Sequence, residues 1–231
     1  GRLGHGDQKP KNRPVRIAAL DGVKICQVSA GTTHSLAVGE KGELYSWGAY
    51  GSGRLGLGER RLENQLTPQP VRLPRGVRIW QASAGGSHSL AVATDGALYS
   101  FGSGWHGRLG HGDLEDCWRP ELIKALEGVK IRHCEAGMAH SIAHAEGGIV
   151  LTFGSNYAGL LGHSDEEECL VPTPVKALVG KAVTAVATGS YHTVVMLANG
   201  ELQAFGSNEY GQLGAAKEGG PEPVGVSLPR I

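Results

Sequence analysis

The chain has 231 residues, 40% of them hydrophobic and 19% charged, and its 22 basic side chains are balanced by 22 acidic ones. That is enough apolar material for a sizeable core, and a neutral chain gives no global reason to expect a nucleic-acid or membrane surface. No apolar run approaches the ~18 residues of a membrane span, and no segment reads as a signal peptide.

Residues 1–29 read as the second half of a repeating unit. GRLGHGD opens them, and Pro14 and Gly22 lead into VKICQVSAG. The full motif begins at Ala30 and runs AGTTHSLAVGEKGELYSWGAYGSGRLG to Gly56. It returns over Ala84–Gly110, Ala136–Gly162 and Thr188–Gly214. His34, His88, His140 and His192 are separated by 54, 52 and 52 positions, and Trp47, Phe101, Phe153 and Phe205 keep the same intervals. A period of roughly 50 residues means a solenoid, propeller or array. The units are 1–29 (partial), 30–83, 84–135, 136–187 and 188–231 (partial), so the chain reads as part of a longer array.

Each unit is predicted to be short strands. In the second, Val77, Ile79 and Ala82 enter the repeat Gly. His88, Leu90 and Val92 then alternate with Ser89 and Ala91, placing large residues on one face and small ones on the other. Such a strand suits a sheet packed on both sides. A third strand covers Ala97 to Phe101. Before it stand Lys41-Gly42, Asp95-Gly96, Gly147-Gly148 and Asn199-Gly200, pairs that predict two-residue type I′ hairpins, with Lys41 the weakest fit. A fourth strand is expected near Glu121-Leu122-Ile123. With 37 Gly and no sustained helical period, the expected fold is all-β: a partial β-propeller of roughly four and a half four-stranded antiparallel blades.

The pattern Ala-Gly-x-x-His-Ser followed by aromatic-Gly-x-x-x-x-Gly-x-Leu-Gly resembles the regulator of chromosome condensation repeat. It stands as Trp47-Gly48 to Gly53-Arg54-Leu55-Gly56 and recurs from Phe101, Phe153 and Phe205. Thr188 and Thr193 depart from it in the fourth copy. The resemblance covers nearly the whole chain and implies a seven-bladed ring of which this chain supplies a little over four blades. It implies several functions. Relatives include the exchange factor for the small GTPase Ran, propellers attached to HECT-type ubiquitin ligases, and a plant UV-B photoreceptor. The photoreceptor places Trp where this chain has Thr32, Gly86, Met138 and Ser190. The exchange factor adds a hairpin wedge and a basic tail, whereas the longest insertion here is two residues.

The recurring His34, His88, His140 and His192 are read as hydrogen-bonded scaffold, with Trp47, Phe101, Phe153 and Phe205, rather than as catalytic groups. In His5-x-Asp7, His111-x-Asp113 and His163-x-Asp165 the Asp is expected to cap a turn. Cys26, Cys117, Cys134 and Cys169 form no C-x-x-C pair and are read as free thiols, which favours an intracellular, reducing compartment. No metal or cofactor site and no enzymatic centre is expected. Candidate contact residues are the charged loops with Arg60 and Arg61 and with Asp165, Glu166, Glu167 and Glu168. The aromatic loops with Tyr50, Trp105, His106, Tyr157 and Tyr210 join them as anchors. The expected role is a non-enzymatic protein-interaction module of a larger regulatory protein. The alternatives are nucleotide exchange on a small GTPase and partner recruitment for a HECT-type ubiquitin ligase.

Overall fold

A computed structural model describes residues 1–58, 63–214 and 222–226. Among these, the strands form four sheets, and the helical pieces are three-residue 3-10 turns. Blade one holds β1 (Ile25–Ala30), β2 (His34–Gly39), β3 (Leu44–Gly48) and β4 (Gln65–Pro70). Blade two holds β5 (Ile79–Ala84), β6 (His88–Ala93), β7 (Leu98–Gly102) and β8 (Cys117–Leu122). Blade three holds β9 (Ile131–Ala136), β10 (His140–Ala145), β11 (Val150–Gly154) and β12 (Cys169–Pro174). Blade four holds β13 (Val183–Thr188), β14 (His192–Leu197), β15 (Leu202–Gly206) and β16 (Val224–Gly225). In every sheet the strands lie in chain order, each antiparallel to the next.

The sequence motif and the sheet are out of phase by one strand. Ala30, Ala84, Ala136 and Thr188, which open the motif, are the last residues of β1, β5, β9 and β13. Successive first strands pack on one another, so they lie nearest the axis. The fourth strands form the sheet edges. That is why Pro68, Pro120 and Pro172 are tolerated there: an edge strand has a side on which a missing N–H breaks no ladder bond.

The alternation of large and small residues builds the blade contact. Leu90, Val92 and Leu98 of blade two share a core cluster with Ile131, Cys134, Ala136, Ala143 and Ala145 of blade three. Leu36, Val38 and Leu44 meet Ile79, Ala82, Ala84, Ala91 and Ala93 in the same way. Ile142 and Val150 meet Val183, Val186 and Val195. At the first two interfaces the large face of one blade thus meets an alanine-rich face of the next, whereas at the third valines take those places. Trp47, Phe101, Phe153 and Phe205 are buried.

Polar groups stitch the same interfaces. His34 Nε2 lies 2.8 Å from Ser89 Oγ, His88 Nε2 lies 2.8 Å from Ser141 Oγ, and His140 Nε2 lies 3.4 Å from Thr193 Oγ1. The Gln81 side chain acts as a piece of β-ladder: its Nε2 donates to Cys134 O (2.9 Å) and its Oε1 accepts from Cys134 N (3.0 Å). Gln27 bridges to Ala82 likewise. Near the axis, Thr32 N donates to Gly85 O (3.2 Å), Gly86 N to Gly137 O (3.0 Å) and Met138 N to Ser190 O (3.1 Å).

Two glycine positions are dictated by this packing. Gly48, Gly102, Gly154 and Gly206, opposite the histidines, have φ of 111°, 113°, 110° and 108°. A Cβ on Gly102 would lie 2.6 Å from both Ser87 O and His88 Cα. Gly85 lies under the imidazole, and a Cβ there would lie 2.7 Å from His88 Cε1.

Three of the four hairpins differ from expectation; at Gly147-Gly148 φ is 79° at both residues, as expected. A type I′ turn needs positive φ at both central residues, but Lys41, Asp95 and Asn199 lack it while Gly42, Gly96 and Gly200 have it. In blade two, Gly96 N donates to Ala93 O and Ala93 N to Ala97 O. This is a type I turn closed by a left-handed Gly. The first position therefore needs no left-handed residue, and Lys41 fits it without strain.

Candidate functional site

Between the third and fourth strands the chain reverses through a sharp turn: Gly51–Gly53, Trp105–Gly107 and Tyr157–Gly159. The middle residue is left-handed in each, with φ of 56° at Ser52, 63° at His106 and 55° at Ala158. Such non-Gly conformations cost on the order of 1–3 kcal/mol and persist only where surroundings enforce them. Here the enforcement is visible. Arg54 Nε donates to Gly51 O (2.8 Å) and Arg108 Nε to Trp105 O (2.7 Å). In blades three and four, Asn156 and Asn208 take over, each accepting a backbone N–H through Oδ1, from Leu161 (2.9 Å) and Leu213 (3.0 Å). Buried hydroxyls close the loop bases: Ser46, Ser100 and Thr152 donate to Leu55, Leu109 and Leu161 carbonyls at 2.6–2.7 Å.

These rigid turns carry aromatic side chains outward. Trp105 is 65% exposed, Tyr157 73% and Tyr210 85%. They border a cavity of about 810 Å³ whose walls come from all four blades, including Ser52, Arg108, Leu160, Tyr191 and Glu209. Trp105 stacks on His106 with ring centres 4.2 Å apart, and Arg108 Cζ lies 5.9 Å from the Trp105 ring centre. Arg108 is itself buried, with a second bond to Met138 O at 3.2 Å.

The expected contact residues divide. Trp105, His106, Tyr157 and Tyr210 come together around the cavity. Tyr50 does not serve as an exposed anchor: it is 3% exposed, and its ring packs 5.8 Å from Trp118 of blade two. Its position matches Asn156, which points into the turn, so the repeat geometry turns Tyr50 inward. Asp165, Glu166, Glu167 and Glu168 are exposed, and Glu168 pairs with His106 Nδ1 of the preceding blade. The acidic loop therefore borders the aromatic face. Arg60 and Arg61 lie outside the described residues. Arg108, Leu160, Tyr191 and Glu209 were not expected at the site. Aligning the four copies position by position would have flagged Glu209, which stands where Trp105 and Tyr157 do.

The repeated histidines form no shared pocket. His34, His88 and His140 sit at successive interfaces, where burial lowers the pKa of His34 to about 3 and of His140 to about 4, and that of His88 well below its usual value. Arg54 adds to the effect at His34, Arg108 at His88, and His192 followed by Arg108 at His140. Each is a neutral structural group at physiological pH. The three H-x-D aspartates cap their turns: Asp7 Oδ1 accepts from Lys9 N (3.0 Å), Asp113 from Glu115 N (3.0 Å) and Asp165 from Glu167 N (3.2 Å). The four cysteines are free thiols. Cys117 is pushed up to about 12, first by burial and then by the Glu121 carboxylate. Thr32, Gly86, Met138 and Ser190 line the axial groove, where no tryptophan stands. Among the described residues no helix is long and apolar enough to cross a membrane.

Four chain-ordered antiparallel blades, joined through the same His, Ser and Gly positions, are the structural form of the repeat. The RCC1-like domain profile matches residues 1–230. The chain belongs to the RCC1-like domain family. Among curated relatives, it is 38% identical over 214 residues to the ultraviolet-B receptor UVR8 of Arabidopsis thaliana, covering 93% of this chain and 48% of that protein. It is 37% identical over 216 residues to the human E3 ubiquitin-protein ligase HERC2, covering 93% of this chain and 4% of that protein. Among solved structures, human WBSCR16 superposes with a TM-score of 0.80 at 28% identity, over 90% of this chain and 54% of that one. Yeast RCC1 (Prp20), solved with Kap60, gives 0.84 at 23% identity over 99% and 55%, which shows a shared fold. The RCC1-like chain thus spans about half the length of these structures and half or less of the curated relatives.

Proposed function

We propose that this RCC1-like segment is a non-enzymatic protein-recognition module of a larger intracellular regulatory protein, and that the aromatic turn face receives the partner. The carrying observation is the exposure of Trp105, Tyr157 and Tyr210 around one cavity, on backbone locked by Arg108 and Asn156. Rigid aromatic rings at a desolvatable concave centre are the usual energetic anchors of an interface. The acidic loop through Glu168 gives the same face a negative border that steers a basic partner surface. Four free thiols support a reducing compartment. The likeness to HERC2, an E3 ubiquitin-protein ligase, supports partner recruitment to a ligase as the setting.

The test is proximity labelling in cells with the wild-type chain and a Trp105→Ala/Tyr157→Ala/Tyr210→Ala variant. All three rings project into solvent, so the variant should keep the wild-type circular dichroism and melting curve while losing its specific partners. Retention of the same partners would refute the assignment of this face. A parallel nucleotide-release assay on purified small GTPases separates recognition from exchange: acceleration by the wild-type chain would favour the exchange reading.

A further inference from the structure

Three ligand-type side chains that the sequence keeps apart meet beside the edge strand of blade two. Cys117 opens β8, Glu121 lies four residues on, across an irregularity in the β7–β8 register that brings the two side chains together, and His111 comes from the turn before it. Their ligand atoms all lie within 4.8 Å of one another. Cys117 Sγ is 3.4 Å from Glu121 Oε2, and ligands bound tetrahedrally at about 2.0–2.3 Å stand roughly 3.3–3.8 Å apart.

An outer hydrogen bond sets the tautomer of the imidazole. The single Ser100 hydroxyl proton goes to Leu109 O at 2.7 Å, so in the 2.9 Å contact with Ser100 Oγ it is His111 Nε2 that donates. The proton is thereby placed on Nε2, and Nδ1 keeps its lone pair. An outer hydrogen bond that fixes tautomer and ring orientation is the common support of a ligating histidine.

Blade three contains a natural contrast. Thr152 Oγ1 donates to Leu161 O at 2.7 Å and meets His163 Nε2 at 3.1 Å, and Cys169 opens β12. Thr173, which stands in the place of Glu121, turns its hydroxyl to Val171 O at 3.0 Å. The half-site is repeated; the carboxylate is particular to blade two.

We propose that His111, Cys117 and Glu121 bind a borderline-soft divalent cation of the zinc type, with water completing a tetrahedron. One thiolate, one imidazole and one carboxylate favour such an ion over magnesium or calcium, which take oxygen ligands. On binding, the Cys117 S–H bond breaks, a sulfur–metal bond forms, and the proton passes to solvent; no electron is transferred. The Glu121 carboxylate, which accepts the Cys117 S–H in the metal-free protein, becomes a ligand. The ion would clip the turn at His111 to the edge strand. The ligand spacings, six residues and then four, match no C-x-x-C or paired-histidine pattern, which is why they escape a motif scan.

The test titrates Zn²⁺ alone by calorimetry and Co²⁺ alone by absorption, on the chain kept reduced. One equivalent should bind, with a near-ultraviolet thiolate-to-cobalt charge-transfer band that Cys117→Ser removes and Cys26→Ser leaves. Glu121→Thr gives blade two the residue blade three already accommodates, so it should fold normally. It should weaken binding by at least the roughly 10–100-fold typical of losing even an outer-shell partner. Thr173→Glu should add a second equivalent. Absence of the band in the wild-type chain, its survival in Cys117→Ser, or unchanged affinity in Glu121→Thr would overturn the site.

Discussion

Acid should take this fold apart at its blade interfaces, and the steepness is calculable from three histidines. His34, His88 and His140 are buried at successive contacts and stay neutral there, because burial and neighbouring arginines oppose the charged form. In the unfolded chain each returns to about 6.5. The unfolded state therefore binds more protons below that value, and stability falls as pH drops. The contribution is complete above pH 7 and is lost progressively from about 6.5 towards the folded values of about 3 and about 4. At pH 5 each histidine costs about 2 kcal/mol relative to pH 7, and the three together roughly 6 kcal/mol. That is comparable to the whole stability of an ordinary domain, about 5–15 kcal/mol. Reversible urea unfolding between pH 7.5 and 5 measures it. Partly buried His111, His163 and His192 and buried His144 are shifted in the same direction, so the decisive comparison is with His88→Asn. That variant should be less stable at pH 7 but should lose about 1.4 kcal/mol per pH unit from the slope below pH 6. An identical slope in both proteins would refute the assignment of proton-linked stability to His88.

Two stability predictions follow from the blade contacts. Gly85→Ala drives a methyl against the His88 ring and the Gly137 carbonyl, and should cost more than the ~1–3 kcal/mol of ordinary overpacking. Gly76→Ala is the control: φ is 85° with nothing within 4 Å, so it should cost only about 1–2 kcal/mol of left-handed strain. Equal melting temperatures for the two variants would remove the ring-contact argument. Gln81→Ala deletes both hydrogen bonds to the Cys134 backbone and leaves buried N–H and C=O groups unpaired. It should cost about 2 kcal/mol or more, read as a shifted denaturation midpoint; a change below about 0.5 kcal/mol would mean water restores those bonds.

The repeated residues determined the architecture, because each does its work at short range against a copy of itself. A histidine that bonds the next blade's Ser, a Gly that the imidazole covers, and one apolar face against the next recur wherever a contact recurs. Their period therefore reveals both the strands and the stacking. The H-x-D caps were legible for the same reason, since Asp113 reaches only two residues along the chain.

Tertiary structure alone decided what the differences between copies do. Tyr50 looks like its aromatic neighbours in sequence, yet its register in the turn buries it. Trp105, Tyr157 and Tyr210 gather round one cavity because the blades fan their turns onto one face. His106 and Glu168 stand 62 residues apart and pair because the loop of one blade lies over the next. His111, Cys117 and Glu121 become neighbours because a turn folds back along an edge strand. A period announces what every blade shares; proximity between unlike residues depends on how blades and turns fold in three dimensions, and no local pattern carries it.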